Sequence, residues 1–107
     1  MHVIITRNGE ADLEAIYQYH AEYTFEYADK FHDEIIAFMI EKLSHFPELG
    51  REVSTVPQIR KLVYDSSYNI YYLIKEDTAY ILYILDGRRI LNDQIQFLQD
   101  HEIDGLM

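Results

Sequence analysis

Between Ile59 and Arg89 the chain alternates runs of Ile, Tyr, Val and Leu with short polar breaks, in the order IRKLVYDSSYNIYYLIKEDTAYILYILDGRR. The pattern predicts three consecutive strands, Ile59–Tyr64, Tyr68–Lys75 and Thr78–Asp86, with turns at Asp65-Ser66-Ser67 and Glu76-Asp77. In the second run Tyr68, Ile70, Tyr72 and Ile74 share one face, and Asn69, Tyr71, Leu73 and Lys75 share the other. The third run is apolar on both faces, which predicts a sheet covered on each side. One long helix fits poorly, because β-branched and aromatic residues crowd the stretch between its breaks.

Upstream, His2–Thr6 reads as a short strand. Asn8 is the candidate N-cap of a first helix, with Glu10 and Asp12 placed well against its dipole. That helix runs to about Glu22 or Tyr23, with Leu13, Ile16, Tyr17 and His20 at helical spacing. Thr24 is the next N-cap, opening a helix over Phe25–Phe46 whose buried stripe includes Ala28, Phe31, Ile35, Phe38 or Met39, Leu43 and Phe46. Pro47 and Gly50 end it. A polar connection, Arg51–Gln58, leads into the meander, and a final helix is expected over Ile90–His101, before a frayed tail from Glu102 to Met107. The order β-α-α-β-β-β(-α) predicts an α+β fold, an antiparallel sheet with a two-helix hairpin packed on it, as one domain over residues 1–107.

Charge changes the picture more than composition does. The formal net charge is −10. Residues 9–50 carry a net −8, residues 51–89 a net +1 and residues 90–107 a net −4, so the bases concentrate in the strand half. A chain this acidic repels phosphates at range, which disfavours tight nonspecific nucleic-acid binding. The chain lacks cysteine, a secretory signal pattern and any apolar run long enough to span a bilayer, so a cytoplasmic protein without membrane contact is expected.

No phosphate loop, dinucleotide fingerprint, nucleophile elbow or HExxH motif is present, and no cofactor is expected. His32 with Asp29 or Asp33 could set two metal ligands on one helical face, but a solvated acidic face explains them better. Tyr71, Tyr72, Tyr80 and Tyr83 fall on central strands, where a phenol fills core more readily than it stacks on a base. The sharper candidates for partner or target binding are the bases Arg51, Arg60, Lys61, Arg88 and Arg89. Arg88-Arg89 leads, because Gly87 breaks the strand and can display both guanidinium forks. Arg60 and Arg89 stand at opposite ends of strands that run parallel, so they need not meet.

Taken together, the chain from about Ile5 to Arg89 resembles the RelE/ParE toxin superfamily, the toxin halves of type II toxin–antitoxin (plasmid stabilisation) modules. The resemblance rests on Glu10-Ala11-Asp12-Leu13, on Ala28, Phe31-His32 and Leu43, and on Phe46-Pro47-Glu48-Leu49-Gly50-Arg51. It continues through Ile59-Arg60-Lys61-Leu62, Tyr68-Asn69-Ile70-Tyr71-Tyr72 and Ile84-Leu85-Asp86-Gly87-Arg88-Arg89. The superfamily divides into RelE-like ribosome-dependent mRNA nucleases and ParE-like inhibitors of DNA gyrase. Where the nucleases commonly carry Arg before the strand aromatic this chain has Asn69, and where the family often has His before the glycine it has Asp86. No tyrosine follows Arg89. The resemblance therefore implies a ParE-like toxin that docks on gyrase rather than cutting RNA, held by a cognate antitoxin as a hetero-oligomer or homodimer. The alternatives are an mRNA nuclease acting on the ribosome, or a degenerate antitoxin-binding protein without toxicity.

Overall fold

The computed structural model describes residues 1–54 and 56–87. Its elements are β1 (His2–Ile5), α1 (Arg7–Ala21), α2 (Phe25–His45), β2 (Arg51–Val53), β3 (Val56–Tyr64), β4 (Tyr68–Lys75) and β5 (Thr78–Asp86). The strands form one sheet in the order β1-β5-β4-β3-β2. The meander is as the alternation predicts, with β4 beginning and ending at the expected residues and β5 likewise. The fold is α+β, and the sheet is mixed: β1 runs parallel to β5, pairing His2 with Thr78 and Ile5 with Ile81. Local pattern marks a strand but carries no information on its partner's direction, which is why an antiparallel sheet was the expectation.

Both turns are tight. Asp65 and Ser66 each take positive φ, 53° and 57°, and Ser67 N–H donates to the Tyr64 carbonyl at 3.1 Å. Two successive positive φ values match the right-handed twist of the flanking strands, as in a type I′ hairpin. β4 and β5 lose register between Tyr71 and Tyr72: Tyr71 pairs with Tyr83, whereas Tyr72 pairs with Ile81. Leu82 is thus the extra residue of a bulge.

The helical hairpin lies on one face of the sheet. Leu13, Phe31, Ile35, Met39 and Leu43 from the helices pack with Leu62, Ile70, Tyr72, Ala79, Ile81 and Ile84. Of the expected α2 stripe, Ala28, Phe31, Ile35, Met39 and Leu43 are buried, while Phe46 caps the helix and stays exposed. Full burial of side chains such as Ile35 and Leu43 contributes about 1.5–3 kcal/mol each. The opposite face carries a second buried cluster, with Ile59, Tyr71, Leu73, Leu82, Tyr83 and Leu85 at its centre.

Two further expectations are corrected. The cap of α1 is Thr6 rather than Asn8: its hydroxyl accepts from Gly9 N–H at 3.3 Å and donates to the Ile81 carbonyl at 2.7 Å. A residue that ends a strand ladder and starts a helix at once outcompetes a residue that could only cap. The polar connection before the meander is itself structured, since Arg51–Val53 forms β2 and β3 begins at Val56 rather than Ile59. Pro57 falls where β2 and β3 shift register and before β4 pairing begins at Ile59, so its missing N–H breaks no ladder bond. Arg88, Arg89 and the helix expected over Ile90–His101 lie outside the described residues.

Candidate target-binding site

Three of the five candidate bases stand on the β2–β3 ribbon. Arg51 is paired directly with Lys61, so the two side chains share a face; Arg60 pairs with Glu52 and Tyr72 and points to the other. Like charges set directly opposite each other destabilise a ribbon. The Arg51–Lys61 pair therefore works against folding, as binding groups often do. With Glu52, Val53, Ser54 and Tyr71 the two bases line a shallow cleft of about 300 Å³. Tyr71 is buried, and burial raises its phenol above the ordinary range despite the Asn69 hydrogen bond that lowers it. It stays protonated at neutral pH and offers a neutral phenol beside two cations.

Arg60 serves the loop after α2. Its Nη1 donates to the Gly50 carbonyl at 2.7 Å and to the Glu48 carbonyl at 3.2 Å, and its Nη2 lies 3.6 Å from Glu52 Oε1. The fully buried Tyr72 works on the same loop: its hydroxyl donates to the Pro47 carbonyl at 2.7 Å and accepts from Gly50 N–H at 2.9 Å. A Cβ on Gly50 would sit 2.8 Å from the Tyr72 ring and hydroxyl, so only glycine allows this approach. The clamp fixes the residues directly before Arg51, and so sets where that base stands.

At the other end of the sheet, β1 pairs with β5 only as far as Ile81. Beyond it, Asp12 Oδ2 of α1 accepts the Ile84 backbone N–H at 2.9 Å. Asp12, Ile16, Tyr19, Tyr68, Ile84 and Asp86 border a cleft of about 210 Å³ there. Gly87 N–H donates to the Ser67 carbonyl at 2.7 Å, just past the end of β5. The structure brings Arg51 and Lys61 together and sends Arg60 to a separate task.

Among the described residues no three His, Asp or Glu side chains converge as metal ligands would. Asp29, one possible partner of His32, instead accepts from the Tyr17 hydroxyl at 2.7 Å. His20 is buried against the rings of Phe31 and Tyr27, at centroid distances of 4.5 and 4.9 Å. Its Nδ1 has no hydrogen-bond partner, and burial lowers its pKa below the usual imidazole value. Neither the Asp12 cap nor the Tyr72 clamp was visible in the sequence, since each joins a side chain to a distant backbone group. Among the described residues no helix is long and apolar enough to cross a membrane.

Comparison with known proteins is consistent across sequence and fold. Residues 3–91 match the family described as ParE toxin of type II toxin-antitoxin system, parDE. Among solved structures, the chromosomal ParDE TA system from P. aeruginosa includes a chain that is 27% identical, with a TM-score of 0.70 over 80% of this chain and 95% of that one. No curated protein matches the sequence.

Proposed function

Because the chain belongs to the ParE toxin family of type II toxin–antitoxin systems, we propose that it is the toxin of a plasmid-stabilisation-type module, inhibiting DNA gyrase by protein–protein contact in the cytoplasm. The observation that carries this reading is the family match over residues 3–91, which takes in both helices and, but for His2, every described strand. The P. aeruginosa relative belongs to a ParDE system, which supports a cognate antitoxin as the resting partner. Asn69 stands where the superfamily's nucleases commonly carry Arg and Asp86 where the family often has His, and this supports docking over RNA cleavage. Arg51 and Lys61, with Arg88 and Arg89, are the groups offered to an acidic surface of the target, and Arg60 braces the loop that positions Arg51.

The ribosome-dependent mRNA nuclease is the second reading, favoured by one observation: two cations, a phenol and the Glu52 carboxylate share the cleft of Arg51, Lys61 and Tyr71. Controlled expression without antitoxin separates the two. Loss of plasmid supercoiling with intact transcripts is the expected result; transcripts cut on translating ribosomes would replace it with the nuclease. Normal growth despite abundant folded protein would leave a non-toxic antitoxin-binding protein.

A further inference from the structure

The second face of the sheet is buried with no described layer over it. Both helices pack into the first cluster, whereas the second is built from β3, β4 and β5 alone, with Val53 of β2 at its margin. Yet Ile59, Leu82 and Leu85 are each only 1% exposed. Side chains stand upright on a sheet with their tips outward, so a single layer of strand residues does not hide itself from water.

The segment that follows Gly87 carries what this face calls for. Leu91, Ile95 and Leu98 recur at helical spacing with Ile90 and Phe97 beside them, an apolar stripe to match the apolar centre. Beyond Arg89 the charges are the acids Asp93, Asp100, Glu102 and Asp104, with no Lys or Arg. The margin of the same face holds the opposite sign: Lys61 pairs with Tyr71 of the second cluster, and Arg51 stands beside Lys61. Glu52, the acid of that cleft, lies 3.6 Å from Arg60 and is shared with this third base. A second copy seated here would set these bases against their own kind.

The reach agrees as well. From the end of β5 to Arg51 is three strand spacings across and about three residues back along the sheet, together about 18 Å. A helix over residues 90–101 is about 18 Å long. Its negative carboxy-terminal end and the acids just past it then arrive beside Arg51 and Lys61. Exposed charge pairs of this kind set direction more than stability.

We propose that residues 90–104 of this chain dock on the second face of the sheet, with Leu91, Ile95 and Leu98 over the Ile59–Leu73–Leu82–Leu85 centre and the terminal acids beside Arg51 and Lys61. The face is then closed from within, and its basic margin is screened by the chain's own carboxylates. The docking holds whichever target the toxin inhibits, and the screening bears on function only if Arg51 and Lys61 meet that target.

The test uses purified full-length protein, whose lack of cysteine lets a single thiol report on each face. Leu73→Cys in the second cluster and Met39→Cys in the first are titrated separately with a maleimide under native conditions. Adding Leu91→Glu with Ile95→Glu is expected to speed the reaction of Leu73→Cys at least about tenfold while Met39→Cys stays slow. Gln96→Glu, on the other side of the helical stripe, is expected to change neither. Carbodiimide cross-linking of the unaltered protein reads the contact without substitution: the expected product joins Lys61 to Asp100, Glu102 or Asp104 within one chain. The proposal is overturned if Leu73→Cys reacts at the same rate with and without the stripe substitutions, if Gln96→Glu acts as they do, or if both cysteines speed up together. It is equally overturned if Lys61 joins those acids only between chains, or not at all.

Discussion

Gly50 gives its amide proton to the hydroxyl of Tyr72, 2.9 Å away across 22 positions of sequence. The same hydroxyl reaches Pro47, so one phenol closes the loop that joins the helical hairpin to the sheet. Tyr72→Phe keeps the ring but leaves a buried donor and a carbonyl without that partner. The expected loss is about 1–3 kcal/mol, read as a lower urea midpoint at unchanged slope. An unshifted midpoint would show that water replaces the hydroxyl at no cost.

Thr6 is expected to respond to chemistry rather than size. Thr6→Val removes the bond to the Ile81 carbonyl and the cap on Gly9, lowering stability by about 1–2 kcal/mol. Thr6→Ser retains the hydroxyl and recovers most of it. Equal melting temperatures for the two variants would sink the assignment.

The pH dependence follows from His20, whose folded pKa is lowered by burial. From about pH 6.5 downward the unfolded chain takes up a proton that the folded site refuses, so stability present above that pH declines as pH falls toward the folded value. His20→Phe fills the aromatic nest without a titrating group. The difference in melting temperature between pH 7 and about pH 5 is expected to be smaller in the variant than in the parent. An identical difference would assign the acid sensitivity to other groups.

The hairpin at Asp65-Ser66 forces two ordinary residues into the left-handed region. Replacing the pair by Asn-Gly, the residues this turn favours, is expected to raise stability by about 1 kcal/mol, visible as a higher melting temperature. A drop would mean that the native side chains make contacts worth more than the strain.

The bases are expected to divide by role. Arg51→Ala combined with Lys61→Ala weakens growth arrest on expression without antitoxin and leaves the melting temperature unchanged or slightly higher, since it relieves a like-charge pair. Arg88→Ala combined with Arg89→Ala also weakens toxicity with little change in stability. Arg60→Ala instead lowers stability, as it frees two carbonyls on the 47–50 loop. Full toxicity in the first two pairs would remove them from the target contact.

Legibility in the sequence tracked the range of the interactions. The β3–β5 meander and both helices were readable because β-branched runs, helical stripes and caps such as Thr24 are local signals. β2 was not: Arg51-Glu52-Val53 is short and polar, and becomes a strand only by pairing with Arg60 and Lys61. Thr6 outranked Asn8 through a carbonyl 75 positions away, a contact no local rule can weigh. In the sequence Arg60 and Lys61 were candidates alike, and only the folded ribbon shows that the first braces a loop while the second joins Arg51.

The parallel pairing of His2–Ile5 with Thr78–Ile81 has a consequence for synthesis. The first strand to leave the ribosome can find its place only after the last described one has begun to emerge, so a nascent chain stopped short of Thr78 has an orphaned amino-terminal strand and a core without the interior strand β5. Products of translation interrupted before Thr78 therefore lack the finished sheet.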